Sequence, residues 1–279
     1  MKKKGIIISI VAILFVVLIG VFCLPVLEAN SVFRDVSNYQ RFTYELSIEL
    51  DKTQLSEKET KLLETIAQLL GIAEKDIFSW TAKGSVYEDI IYAKLYCKGF
   101  ENAVTELYLT EEQQLINIQG FYEFIQDYVE QQVFFLGKLF PNWSGGTYIS
   151  IEQIEDIFEV DFSEIFVTDI SIPKEEIGFK SFLLLLGMEK SKGEQGELQF
   201  QTLYEGYDIT FTIQKQEEVP MVKMWILDNH QASIIKKCNL KVMFAQIEEI
   251  EVPNTLVSEE SIALLKNIWG IIKSINNKN

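Results

Sequence analysis

Residues Gly5 to Leu27, GIIISIVAILFVVLIGVFCLPVL, carry no charge and directly follow Lys2, Lys3 and Lys4. Such a run must leave water, and at about 1.5 Å rise per residue a helix of this length covers a hydrocarbon core of roughly 30 Å. Lysines on its amino side oppose translocation of that end. The pattern predicts a basic cytoplasmic tail over 1–4, a transmembrane signal anchor over 5–27 and an extracytoplasmic domain over 28–279, in a single-pass protein of a bacterial cell membrane. A cleaved signal peptide is the alternative. It is opposed by the length of the run and by Leu27 standing where a cleavage site near Ala29 wants a small residue. Val21 and Phe22 are bulky neighbours for a lipid-modified Cys23, so Cys23 reads as an apolar residue of the span.

The remaining chain is long enough for one large domain or two small ones with real cores. The whole chain carries a net charge of −16, and the part beyond the three lysines is more acidic still. That balance excludes nucleic acid as an electrostatic partner. Cys97 and Cys238 lie in the part expected to be exported, each in phase with the inward side of a strand, which leaves both a disulfide and two buried thiols open.

Alternation of apolar and polar residues marks the strands. Phe42, Tyr44, Leu46, Ile48 and Leu50 recur at a period of two. Val86–Cys97, Ala103–Leu109 and Gln114–Gln119 follow as an antiparallel meander, and Leu198–Tyr204 and Tyr207–Ile213 form a hairpin about Gly206. Met221–Leu227 and Leu240–Ile247 supply two more strands. Helices are predicted over Ser56–Leu70, opened by a Ser56/Glu59 capping box and stopped by Gly71, and over Phe121–Leu139, Ser150–Phe158 and Ser258–Ile275. Phe179–Met188 reads as a short apolar helix. The fold class is therefore α+β: a curved antiparallel sheet, half-barrel-like, covered by helices and preceded by the transmembrane helix, with a subdivision near 189–197 left open.

The meander with TELYLTEEQQLINIQGFYEFI, the hairpin ELQFQTLYEGYDITFTIQ and the closing IEEIEVPN resemble the exported proteins similar to the bacterial lipoprotein carrier LolA and its LppX/LprG relatives, over about Phe42 to Asn254. The resemblance implies a curved sheet that holds acyl chains against helices. It carries no ligand residue over to this chain.

Catalytic patterns are weak. His230 is the only histidine, and with Asp228 it lacks the third partner a nucleophilic site needs. Glu152, Glu155, Asp156, Glu159, Asp161 and Glu164 offer carboxylate pairs for a hydrolase, yet such crowding is ordinary in a chain with 41 acidic residues. Neither a metal site nor a cofactor is implied. Aromatic residues between 121 and 143 are denser than one helical stripe buries, so Phe121, Phe124, Tyr128, Phe135 and Trp143 form the candidate ligand or partner surface. The expected function is a noncatalytic, membrane-anchored binding module for a lipid or envelope protein. An envelope hydrolase using paired carboxylates, or a purely structural envelope protein, are the alternatives.

Overall fold

A computed structural model describes residues 26–27, 29, 41–110, 112–132, 143, 146–158, 185–193, 197–215, 220–229, 233–244 and 247–276. Among them eleven strands form one antiparallel sheet: β1 (Arg41–Leu50), β2 (Ser79–Tyr87), β3 (Ile90–Cys97), β4 (Thr105–Leu109), β5 (Gln114–Asn117), β6 (Tyr148–Ser150), β7 (Glu189–Lys192), β8 (Leu198–Tyr204), β9 (Tyr207–Lys215), β10 (Pro220–Asp228) and β11 (Ile235–Met243). The order across the sheet is β6-β5-β4-β3-β2-β1-β11-β10-β9-β8-β7. Two meanders thus run outward from a central seam in which β1 pairs with β11, Leu46 opposite Leu240 and Ile48 opposite Cys238.

The sequence reason for each element is local. β1 alternates strictly, so one face carries Phe42, Tyr44, Leu46 and Ile48 and the other Thr43, Glu45, Ser47 and Glu49. Helix α1 (Glu57–Leu70) has the reciprocal cap its sequence predicts. The Ser56 N–H and hydroxyl donate to Glu59 Oε2 at 2.7 and 2.6 Å, the Glu59 N–H donates to Ser56 Oγ at 3.2 Å, and Gly71 ends the helix at φ 65°. The β8–β9 hairpin turns on Glu205 and Gly206, both at positive φ, as a tight two-residue connection requires.

Helices α1, α2 (Gln119–Gln132), α3 (Ile151–Phe158) and α4 (Glu259–Asn276) gather at the β4–β6 end of the apolar face. There Tyr122, Ile125, Val129, Ile154, Ile157, Leu265, Ile268 and Trp269 enclose Ile149 of β6. A second cluster joins α1 to β3 through Ala67, Leu70, Ile77, Phe78, Cys97 and Val104. The third lies at the opposite end, where Leu198, Phe200 and Ile213 of β8 and β9 pack with Leu185, Met188, Val26 and Ala29. Each fully buried side chain of this size contributes about 1.5–3 kcal/mol of apolar transfer energy.

Two corrections follow. The α+β class holds, but the sheet is open and does not curl into a half-barrel: it starts at β6 and ends at β7, which do not pair. Both ends are finished separately. At β6, the N–H groups of Thr147 and Tyr148 donate to the Thr255 carbonyl and Val257 N–H donates to that of Tyr148. Gly146 permits this approach, since a Cβ there would overlap the Leu256 carbonyl. At β7 the strand is four residues long and carries Lys190 and Lys192, which discourage further pairing.

The second correction concerns the membrane. Most of the expected span over 5–27 lies outside the described residues, and among the described residues no helix is long and apolar enough to cross a membrane. Val26, within the expected span, and Ala29 just beyond it are fully buried against Leu198, Phe200 and Ile213. The carboxyl end of the apolar run therefore belongs to the protein's own core. The structure does not support the transmembrane signal anchor, the single-pass cell-membrane topology, the extracytoplasmic placement or attachment to the membrane through 5–27. The membrane-anchored function built on them falls with them.

Candidate functional site

Of the residues singled out by aromatic density, the side chains of Phe124 and Trp143 are described, and they pack in different places. Phe124 stacks edge-on with Phe100 at 5.2 Å beside the α1–β3 core, whereas Trp143 packs on Tyr122 at 4.7 Å in the helical core and donates its indole N–H to the Gly146 carbonyl at 3.1 Å. Phe135, and the side chains of Phe121 and Tyr128, lie outside what is described. Of the acidic set, Glu152 is exposed and Asp156 is engaged by Lys266, which ties α3 to α4. Glu159, Asp161, Glu164 and His230 lie outside the described residues. Among the described residues no three metal-ligating side chains cluster.

Cys97 and Cys238 are free. The register explains why: Cys97 faces Trp80, Trp80 faces Ile48 and Ile48 faces Cys238. Three strand spacings are about 14 Å, twice the roughly 7 Å that a disulfide spans between Cα atoms. Burial pushes the Cys97 thiol up to about 11, with Asp76 adding to the shift, and burial also raises Cys238.

The sheet's polar face holds a site that sequence alone does not show. Strand register lines up Tyr96, Thr81, Ser47, Asn239, Trp225 and Thr210, one from each of β3, β2, β1, β11, β10 and β9. This row runs across the strands, on the face opposite Trp80 and Cys97, which pack with α1. Tyr96 and Trp225 are four strand steps apart, about 19 Å. At the Tyr96 end of the row lies a depression of about 350 Å³ lined by Tyr96, Thr81, Ser47, Asn239, Lys98 and Lys237 and, from the adjoining positions, Ile48, Glu49, Ser79, Trp80 and Cys97; Trp225 is not part of it. That volume is at the small end of ligand-binding clefts.

Hydrogen bonds and charges hold the floor in place. The Ser47 and Thr81 hydroxyls bond to each other at 3.0 Å, Lys83 Nζ is 3.6 Å from Glu45, and Lys236 Nζ is 3.2 Å from Glu49. Lys237 and Lys83 sit over the Trp225 and Tyr96 rings at 5.9 and 5.7 Å from their centroids. At the β3–β6 end of the same face, Tyr92 stacks on Tyr108 at 4.9 Å and Tyr108 on Tyr148 at 5.6 Å, and the Tyr92 hydroxyl donates to Glu106 at 3.1 Å. Burial raises the pKa of all three phenols, that of Tyr108 to about 12, so they stay neutral donors at any physiological pH.

Sequence reasoning passes over this face because register is not written in the chain. Trp225 lies in MVKMWILD, a strand apolar on both sides, where a period of two assigns it no direction. The usable signal is in β1 and β2: Ser47 and Thr81 mark the solvent phase, and a neighbouring aromatic in that phase is a surface aromatic. No family model, curated protein or solved structure matches this chain.

Proposed function

We propose that the protein is a non-enzymatic recognition domain that binds a linear glycan across the strands of its polar face. The observation that carries this reading is the row from Tyr96 to Trp225. It offers two aromatic rings about 19 Å apart with hydroxyl and amide groups between them. Sugar rings present apolar C–H faces that stack on aromatics and equatorial hydroxyls that bond to Ser, Thr and Asn. The strand spacing is comparable to the advance per sugar along an extended chain, so successive residues meet successive strands. Glu45 and Glu49 supply acceptors for sugar hydroxyls, which a surface built for polyphosphate would not favour.

The test is affinity electrophoresis and isothermal titration against a panel of soluble polysaccharides, with Trp225→Ala and Tyr96→Ala. Truncating a central aromatic anchor costs about 2 kcal/mol, roughly thirty-fold in Kd. Each variant is expected to lose at least ten-fold in affinity with unchanged thermal stability. Binding that survives both substitutions, or no binding to any polysaccharide, refutes the reading.

A further inference from the structure

We infer, resting on the glycan reading above, that the preferred glycan is anionic and carries uronate carboxylates at intervals along its length. The row next to the aromatic one reads Lys94, Lys83, Glu45, Lys241, Lys223 across β3, β2, β1, β11 and β10. Two pairs of lysines thus stand directly opposite each other on neighbouring strands, Lys94 with Lys83 and Lys241 with Lys223. Like charges so placed destabilise a sheet. Glu45 stands opposite Lys83 on one side and Lys241 on the other, and its carboxylate is engaged by Lys83, 3.6 Å away.

Glu106 faces Lys94 across β4, but its carboxylate accepts the Tyr92 hydroxyl. Among the described residues no carboxylate lies within 4.0 Å of Lys94, Lys223 or Lys241. An anion placed over each pair removes the repulsion and gains two charge-assisted hydrogen bonds. The pairs are centred three strand spacings apart, about 14 Å. At one sugar per strand spacing, carboxylates on alternate sugars fall about 10 Å apart, the separation of the inner lysines Lys83 and Lys241. A polymer with a phosphodiester in every unit would crowd more negative charge onto the row than two lysine pairs and Glu45 accommodate.

The experiment measures binding of hyaluronan, a polymer that alternates glucuronate with N-acetylglucosamine, and of its carboxyl-reduced, uncharged form. Wild-type protein is compared with the Lys223→Gln/Lys241→Gln double variant at low and high salt. The wild type should prefer the charged polymer at least ten-fold, lose that preference as salt rises, and lose it in the double variant while still binding the neutral polymer. Equal binding of both polymers by wild type overturns the inference and leaves the glycan reading standing; binding of neither overturns both. Tighter binding of poly(glycerol phosphate) or polyuridylate than of hyaluronan also overturns it. A second readout is stability: Lys223→Gln, which relieves the Lys223–Lys241 repulsion and leaves Glu45 opposite Lys241, should raise Tm, and a fall in Tm removes the premise.

Discussion

Gly84→Ala is the sharpest test of the sheet's construction. A Cβ added at Gly84 in β2 would overlap the Tyr92 carbonyl oxygen and lie 2.8 Å from that carbonyl's carbon and 2.9 Å from Ala93 Cα. All three are backbone atoms of β3, so no side chain can swing aside. The strands must part locally, weakening the bonds around the Gly84–Ala93 pair and the contact in which the Tyr44 hydroxyl donates to the Tyr92 carbonyl at 3.3 Å. Overpacking a rigid site costs about 1–3 kcal/mol, and this one belongs at the upper end, about 3 kcal/mol. For a chain of this size that is a fall in Tm of about 6–12 °C. Gly71→Ala is the reference: its position has φ 65° but nothing within 4 Å, so the cost is the left-handed backbone alone, about 1–2 kcal/mol. Urea unfolding followed by tryptophan fluorescence gives both values. If Gly84→Ala costs less than Gly71→Ala, the close approach of β2 and β3 is wrong.

Removing the α1 cap with Ser56→Ala should cost about 1 kcal/mol at neutral pH. The Ser56 hydroxyl and N–H hold the Glu59 carboxylate below its usual pKa. A depressed folded-state pKa gives stability that is complete above the unfolded value near ~4.3 and is lost as pH falls through the folded one. Melts at pH 7 and at pH 3 should therefore show the gap between wild type and Ser56→Ala narrowing in acid; a widening gap contradicts the cap. Native protein at pH 8 should resist iodoacetamide at Cys97, whose thiol is pushed up to about 11, and should label fully in urea. Peptide mapping without reductant should show no Cys97–Cys238 cross-link, and finding one would contradict the register.

Elements ruled by local chemistry were legible in the sequence. The Ser56/Glu59 box, the Gly71 stop, the alternation of β1 and the Gly206 hairpin each state themselves within a few residues. The expected strand Val86–Cys97 runs through the β2–β3 turn and leaves most of β2 unpredicted, because Glu88 at φ 54° followed by Asp89 has no glycine to mark the turn. β11 begins at Ile235, where Ile235, Lys236 and Lys237 read as a polar connection; they are strand residues facing solvent on a two-sided sheet. β6 and β7 are too short to show a period. Phe124 and Trp143 pack against two separate cores, and only helix packing, which the sequence does not state, distinguishes filling from lining. The polar-face row depends on six strands keeping register over the length of the chain, which no local window contains.

The seam between β1 and β11 joins segments nearly two hundred residues apart. Closing so long a loop carries an entropic cost that local hairpins avoid, so the two meanders form readily and their mutual docking comes late. Tyr96 belongs to one meander and Trp225 to the other. Neither fragment, expressed alone, carries the complete row, and restoration of ligand capture on mixing the two would time the last step of assembly.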